Sequence, residues 1–470
     1  MGVGVSGWRL ARAVSSAGQL GVVSGVGLDT LLVRRLQLGD PGGHLRRALA
    51  AFPFPGVAER ILRLYFRAGG IEAGVPFRAM PRPSLGRSRP SAQVVVAANF
   101  VEVFLAKQGH AGPVGVNYLE KLQMSTPAAV YGAMLAGVDF VLMGAGIPAE
   151  TPALLGSLAA GRPGEVTVSV QGGAPGKAVA APEELFGAAP ELGRPSFLAI
   201  VSSNMLASYL ARDARTRPDG FVVESPIAGG HNAPPRGRLA LDAEGQPVYG
   251  PRDVVDLEKM SELGLPYWLA GGQASPRSLL EALRVGAAGI QVGSAFALCR
   301  ESGLDASLRQ ALLERAASGT LAVRADPLAS PTGFPFQLAS LPGTVADDEV
   351  YSKRPRVCDV GYLRAPYARP DGTIGYRCPA EPVADYIRKG GRAEDAVGRR
   401  CLCNGLIAAI GLGQRARGGD IEPPLLTLGQ DLSFLGDLLT DGDGDYTAAD
   451  VVGYLLDTHR ATSAAGAPYR

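Results

Sequence analysis

Between Asp219 and Asn232 the chain reads DGFVVESPIAGGHN, an apolar run that empties into two glycines and a histidine. Phe221, Val222 and Val223 are aromatic or β-branched and lie between Asp219-Gly220 and Ser225-Pro226, the pattern of a short buried parallel strand. Gly229 and Gly230 let backbone approach a ligand where a Cβ would prevent it. His231 follows, one of four histidines in the chain, and an imidazole at a strand end can take or give a proton near neutral pH. An isolated Gly-Gly-His is also an ordinary turn with a surface histidine, so its meaning depends on what accompanies it. Two loops do: Ala270-Gly271-Gly272-Gln273 and Gly293-Ser294-Ala295-Phe296, each following an apolar run, with one helical pattern between them. Backbone N–H groups at such glycine loops suit a phosphate. The alternative is a pair of tight strand-to-helix turns that needed glycine.

These loops need a parallel sheet to hold them on one face. Strand-like runs recur at Leu20 to Ser24, Val114 to Tyr118, Phe140 to Gly144, Phe197 to Ser202, Phe221 to Glu224, Tyr267 to Ala270 and Gly289 to Gly293. Helical patterns separate most of them: Pro127 to Ala136, Asn204 to Arg212, and Pro276 to Val285 with Ser275 as cap. Alternating strands and helices predict an α/β fold with a parallel sheet, and loops gathered at one strand end predict a (β/α)8 TIM barrel. Only seven strands are counted and the chain opens on a helix from Gly7, capped by Ser6, so the first strand is expected upstream of Met1. The barrel domain is expected to span residues 1–325, with insertions at about 29–112 and 165–195. The first insertion carries helical pieces at Leu45 to Ala51, Val57 to Arg67 and Val94 to Lys107, and the second a hairpin around Val166 to Ala180. Residues 326–470, rich in aromatic residues, Pro and Gly, read as a C-terminal extension packed on the barrel.

Composition narrows the function classes. Across 470 residues, hydrophobic residues make up 46% and charged ones 19%, as in soluble globular chains. A formal net charge of +2 gives no electrostatic footprint for nucleic acid. The longest apolar stretch, Phe197 to Ala211, is interrupted by Ser202, Ser203 and Asn204, so no membrane span is expected. Five cysteines, an odd count, and no secretory signal suit a reducing cytoplasm.

Taken together, GVSGWRLARAVSSAGQLGVVSG, VGVNYLEKLQ, AGGH, AGGQ and QVGSAF, in that order over Met1 to about Arg324, resemble the nitronate monooxygenase family, also called the 2-nitropropane dioxygenase-like flavoproteins. The resemblance implies a βα barrel that binds FMN non-covalently, with additional structure covering the site. It implies that Met1 and Gly2 touch the flavin ring, that Asn117 lies beside the flavin, and that Gly229 and Gly230 line it. Gly271, Gly272, Gly293 and Ser294 would hold the phosphate, and His231 takes the place of the catalytic histidine. The family's Glu-Ala-Gly-Gly-His pattern is interrupted here, since Ser225, Pro226 and Ile227 stand between Glu224 and Ala228. The implied reaction is oxidation of an alkyl nitronate by flavin and dioxygen, with His231 as base or anion stabiliser. An FMN-dependent enoyl-thioester reductase driven by a nicotinamide donor shares the same motifs, and a flavin-binding module without turnover is a third possibility.

Other chemistry-bearing residues have plainer readings. Cys358, Cys378, Cys401 and Cys403 do not follow the paired spacing of metal knuckles, and read as buried thiols. Asp441, Asp443 and Asp445 alternate like calcium ligands, but Tyr446 and Val452 stand where that loop needs Gly and Glu. Thr447 with Asp450 predicts a capping box. Tyr118 reads as barrel packing or as a wall of the substrate pocket. His44, His110 and His459 read as surface residues.

Overall fold

The computed structural model describes residues 2–86, 88–416, 420–439 and 444–457. Met1, Asp441, Asp443 and His459 lie outside them. Seven strands form one sheet in chain order: β1 (Gly21–Ser24), β2 (Val114–Leu119), β3 (Phe140–Gly144), β4 (Ser196–Val201), β5 (Gly220–Glu224), β6 (Tyr267–Ala270) and β7 (Gly289–Gln291). All six pairings are parallel. They are the seven strands that the apolar runs predict, with ends differing by one or two residues.

Alternation along each strand divides the core in two. Leu142, Leu198, Ile200, Val222 and Ala270 pack together on the inner face, with Val22, Phe140 and Trp268 against them. Their neighbours Val141, Met143, Phe197, Ala199, Phe221 and Val223 face outward into the larger core shared with the helices. Strands buried on both faces read as continuous apolar runs, which is why they were visible in the sequence. The described sheet is a half-barrel whose free edges are β1 and β7.

The helices Asn204–Arg212 and Pro276–Arg284 are capped by Ser203 and Ser275, whose side chains accept from Leu206 N–H at 3.1 Å and Ser278 N–H at 3.0 Å. The first helix, Trp8–Ser16, begins differently from expectation. Ser6 does not cap it; the Ser6 hydroxyl donates to the Val22 carbonyl at 2.5 Å and ties the N-terminal loop to β1. The Trp8 N–H instead donates to buried Glu102 at 2.9 Å, and the same carboxylate pairs with Arg35 at 2.7 Å. Glu102 sits on the long helix Arg89–Ala106, which runs between β1 and β2 in the chain. The insertion thus supplies the covering helix for this part of the sheet. The second insertion forms the hairpin Gly164–Val168 with Gly176–Ala180.

Beyond β7 the chain makes two more hairpins, Val323–Asp326 with Phe336–Ala339 and Ala365–Ala368 with Ile374–Arg377. It then forms the helix Leu402–Ala408 and ends its described part in the helix Ala448–Leu456, started by the Thr447–Asp450 capping box. Asp445 is engaged by Arg300 at 3.0 Å and Arg309, so it acts as an ion-pair partner. Among the described residues no helix is long and apolar enough to cross a membrane.

Phe221 is fully buried on the outer face of β5. Phe221→Ala is expected to lower unfolding free energy by about 3–5 kcal/mol in urea titration; a loss below about 1 kcal/mol would contradict this packing.

Candidate active site

Two adjoining cavities open at the carboxyl ends of the strands. The first, about 380 Å³, is lined by Gly2, Asn117, Gly229, Gly271, Gly272, Gly293 and Ser294. The second, about 110 Å³, is lined by Gly230, His231 and Tyr118. Asn117, Glu224 and Gly229 border both cavities. Every described residue singled out from the sequence as catalytic or cofactor-binding therefore lies on one or both; Met1 lies outside the described residues.

The glycines differ in why a side chain is missing. Gly271 and Gly272 have φ of +84° and +69°, a region that side chains rarely adopt, so the turn after β6 requires glycine. Gly293 has an ordinary φ of −117°, and a Cβ there would meet nothing within 4 Å. Its bareness preserves open space rather than relieving strain. The buried Asn117 Oδ1 has no hydrogen-bond partner, the state of a group placed to meet a ligand. A cavity of this size with few converging polar groups suits a cofactor. Among the described residues that line the first cavity there is no Lys or Arg, and the charged ones are Glu224 and Asp431. A phosphate here would be held by backbone N–H groups and the Ser294 hydroxyl.

The His231 loop is fixed by chain segments beyond residue 326. Gln337 N–H donates to the Gly230 carbonyl at 2.9 Å, Asn232 N–H donates to the Pro335 carbonyl at 3.0 Å, and Gly230 N–H donates to Thr427 Oγ1 at 2.8 Å. The His231 ring stands edge-on to Phe336 at 4.9 Å between centroids. Its Nε2 shares a 2.7 Å hydrogen bond with Ser330 Oγ, leaving Nδ1 as the ring nitrogen for a ligand. A third link joins the phosphate side: Gly429 N–H donates to Ser294 Oγ at 2.7 Å, while Gln430 N–H reaches the Ile227 carbonyl at 3.0 Å. Thr427, Gly429 and Ser330 were missed in the sequence because nothing local marks them. Ala145, after β3 on the wall of the second cavity, was missed too; its φ of +57° is uncommon for a residue with a side chain.

The four cysteines beyond residue 326 are free thiols. Burial pushes Cys358 and Cys378 up, and Cys403 up to about 11. Among the described residues no three His, Cys, Asp or Glu side chains are grouped to hold a metal.

Burial pulls the His231 imidazole down to about 4, with the Lys121 cation acting in the same direction, so it is neutral at pH 7. Burial pushes the Glu224 carboxyl up to about 7. These shifts oppose each other in stability. Between pH 4 and 6.5 the unfolded chain binds the extra proton at His231, so stability rises with pH. Between pH 4.5 and 7 the folded chain holds the extra proton at Glu224, so stability falls with pH. His231→Gln should therefore make the slope of Tm against pH more negative between pH 4.5 and 6.5, and Glu224→Gln more positive. Two variants that both parallel the parent protein over that range would contradict the burial of these groups.

Residues 194–327 match the family model described as nitronate monooxygenase. A probable nitronate monooxygenase of Bacillus subtilis is 34% identical over 96 residues, which is 20% of this chain and 26% of that protein. A nitronate monooxygenase of Pseudomonas aeruginosa is 36% identical over 97 residues, 20% of this chain and 25% of that one. The chain thus matches about a quarter of the length of these curated relatives. Among solved structures, FabK from Thermotoga maritima aligns with a TM-score of 0.46 at 16% identity, over 98% of this chain and 91% of that one. The enoyl reductase domain of MlnA from the macrolactin biosynthesis cluster of Bacillus amyloliquefaciens aligns with a TM-score of 0.48 at 11% identity, over 98% and 93%. Residues 194–327, the stretch that holds β4 to β7 and the glycine and histidine loops, resemble the nitronate monooxygenase family.

Proposed function

We propose that the chain is an FMN-dependent oxidoreductase that oxidises alkyl nitronates with dioxygen. The observation that carries this reading is the meeting of the glycine loops, Asn117 and His231 at two adjoining cavities. Gly271, Gly272, Gly293 and Ser294 would hold the FMN phosphate, while Gly2, Asn117, Gly229 and Gly230 would border the flavin. FMN, when bound, supplies the electron transfer. The chain supplies position and proton handling. A neutral His231, held through Nε2 by Ser330, presents Nδ1 to take the α-proton of a nitroalkane. The apolar wall of the second cavity, including Leu119, Leu122 and Ile200, excludes water from that transfer.

One observation favours a second reading. A nitronate is an anion, yet His231 is neutral and Lys121, one of the cations that act on it, is paired with Glu120 at 3.7 Å and is one-third exposed. An apolar cavity with a neutral imidazole equally suits an uncharged activated alkene, such as an enoyl thioester reduced at the expense of a nicotinamide donor.

The finer architecture is proposed on the same footing. Away from the glycine loops the first cavity passes Leu20, Val22 and Ile290 beside the free edges of β1 and β7, and that end of it, distinct from the end that would take a cofactor, supports one further parallel strand closing a (β/α)8 barrel. Residues 1–325 would form the barrel unit and 326–470 its covering extension. The free thiols support a reducing cytoplasm as the setting.

Purified protein is expected to be yellow with one FMN per chain. Mixed without oxygen, a nitronate should bleach the flavin and oxygen restore it. Bleaching by NADPH, followed by recovery on adding a short enoyl thioester, would replace this reading with the second one. A protein that takes up no FMN would contradict both. Gly293→Ala should weaken FMN binding at least tenfold by about 1.4 kcal/mol or more, with the apoprotein Tm unchanged; unaltered binding would remove Gly293 from the cofactor site. Asp431→Asn should tighten it by about two- to fivefold, since a carboxylate near the Gly272 turn repels a phosphate. Weaker binding in that variant would show that the phosphate lies elsewhere.

A further inference from the structure

We propose that the second cavity is a pocket for the alkyl or acyl end of the substrate, and that the helix Leu402–Ala408 sets how long that end can be. This rests on the functional reading above. His231 and Gly230 lie on the wall that adjoins the first cavity, while Leu363, Leu402, Cys403 and Leu406 form wall from beyond residue 326. The matched family segment ends at residue 327, so this wall is contributed by a part of the chain outside it.

The wall suits hydrocarbon. Glu224 is the one ionisable acid or base besides His231 among the residues that line this cavity, apart from the Tyr and Cys side chains. Cys403 keeps its proton at neutral pH, since burial pushes its thiol up to about 11, and it acts as a small apolar surface. The cavity measures about 110 Å³. An apolar cavity of about 150 Å³ takes benzene, so this one takes roughly four carbons.

The wall is also fixed, which a length limit requires. Leu402 is 1% exposed and packs with Phe336, Leu338 and Leu425. Leu425 N–H donates to the Gly405 carbonyl at 2.9 Å, and a Cβ on Gly405 would meet Leu425 Cβ at 2.6 Å, so the helix is pressed against that segment. Tyr362, beside Leu363, is anchored from behind: its hydroxyl donates to buried Asp29 and lies 2.8 Å from Thr30 Oγ1. Interiors this close-packed do not yield to an extra methylene without strain.

The test uses the flavin-loaded full chain and straight 1-nitroalkanes from nitroethane to nitrooctane, with binding read from thermal unfolding shifts and turnover measured in parallel. Affinity should rise about fourfold per methylene up to about four carbons, then fall at least tenfold within two more. Leu406→Ala should move that limit outward by one or two carbons, and Leu406→Phe inward. Cys403→Ala and Cys403→Met should do the same, and they decide the question if a Leu406 variant fails to fold. A limit that stays put in all folded variants, or affinity without any limit, overturns the proposal. Length-dependent binding without turnover of any nitroalkane or of its nitronate would sink the nitronate reading and leave the pocket standing.

Discussion

The loop that carries His231 is held in place by hydrogen bonds from residues that lie about one hundred and two hundred positions further along the chain. Gly230 donates to Thr427 across 197 residues, and His231 bonds to Ser330 across 99. A glycine-rich loop has high conformational freedom, and ordering it costs entropy that its own few contacts cannot offset. The cross-links from Pro335, Gln337 and Thr427 hold that freedom down at the position where the proposed function needs a proton handled. The segment after residue 326 is therefore part of the site as well as a cover over it. It touches the first cavity through Gly429 and Ser294, the histidine side through Ser330 and Phe336, and the second cavity through Leu402 and Leu406.

Burial sets the chemistry available once that loop is fixed. An imidazole at a barrel strand end is commonly thought of as a titrating group, but His231 is kept neutral well below pH 7. Glu224, the last residue of β5, is moved the other way by the same desolvation. The two groups flank the border between the cavities as a neutral base and a carboxyl poised near neutrality. Such opposed shifts accompany acid and base roles in many enzymes. They also favour substrates that are uncharged on arrival.

The sheet was legible because its strands are short apolar runs buried on two faces, and Ser275 and Thr447 announced their helices by local capping chemistry. The glycine and histidine loops were legible because loops after parallel strands share one face of a sheet, so their order in the chain predicts their nearness in space. What failed was whatever depended on distant partners. Ser6 looked like a helix cap, but Glu102 caps that helix from 94 residues away and Ser6 serves β1. Thr427 and Gly429 sit in an unremarkable stretch, PPLLTLGQ, whose backbone groups acquire meaning only where the chain returns to Gly230 and Ser294. The interruption at Ser225, Pro226 and Ile227 does not remove His231 from the site, because Ile227 and Pro226 carbonyls accept from Gln430 N–H and from the Gln337 side chain. The extra residues are docked by the covering segment.

The most direct test of this account is a crystal structure of the protein loaded with FMN. The account predicts the phosphate within hydrogen-bond distance of the backbone at Gly272 and Gly293 and of the Ser294 hydroxyl, with the flavin ring beside Asn117 and His231 Nδ1 facing the same space. FMN bound elsewhere, or bound here with the imidazole turned away and the Gly230–Thr427 hydrogen bond broken, would contradict it.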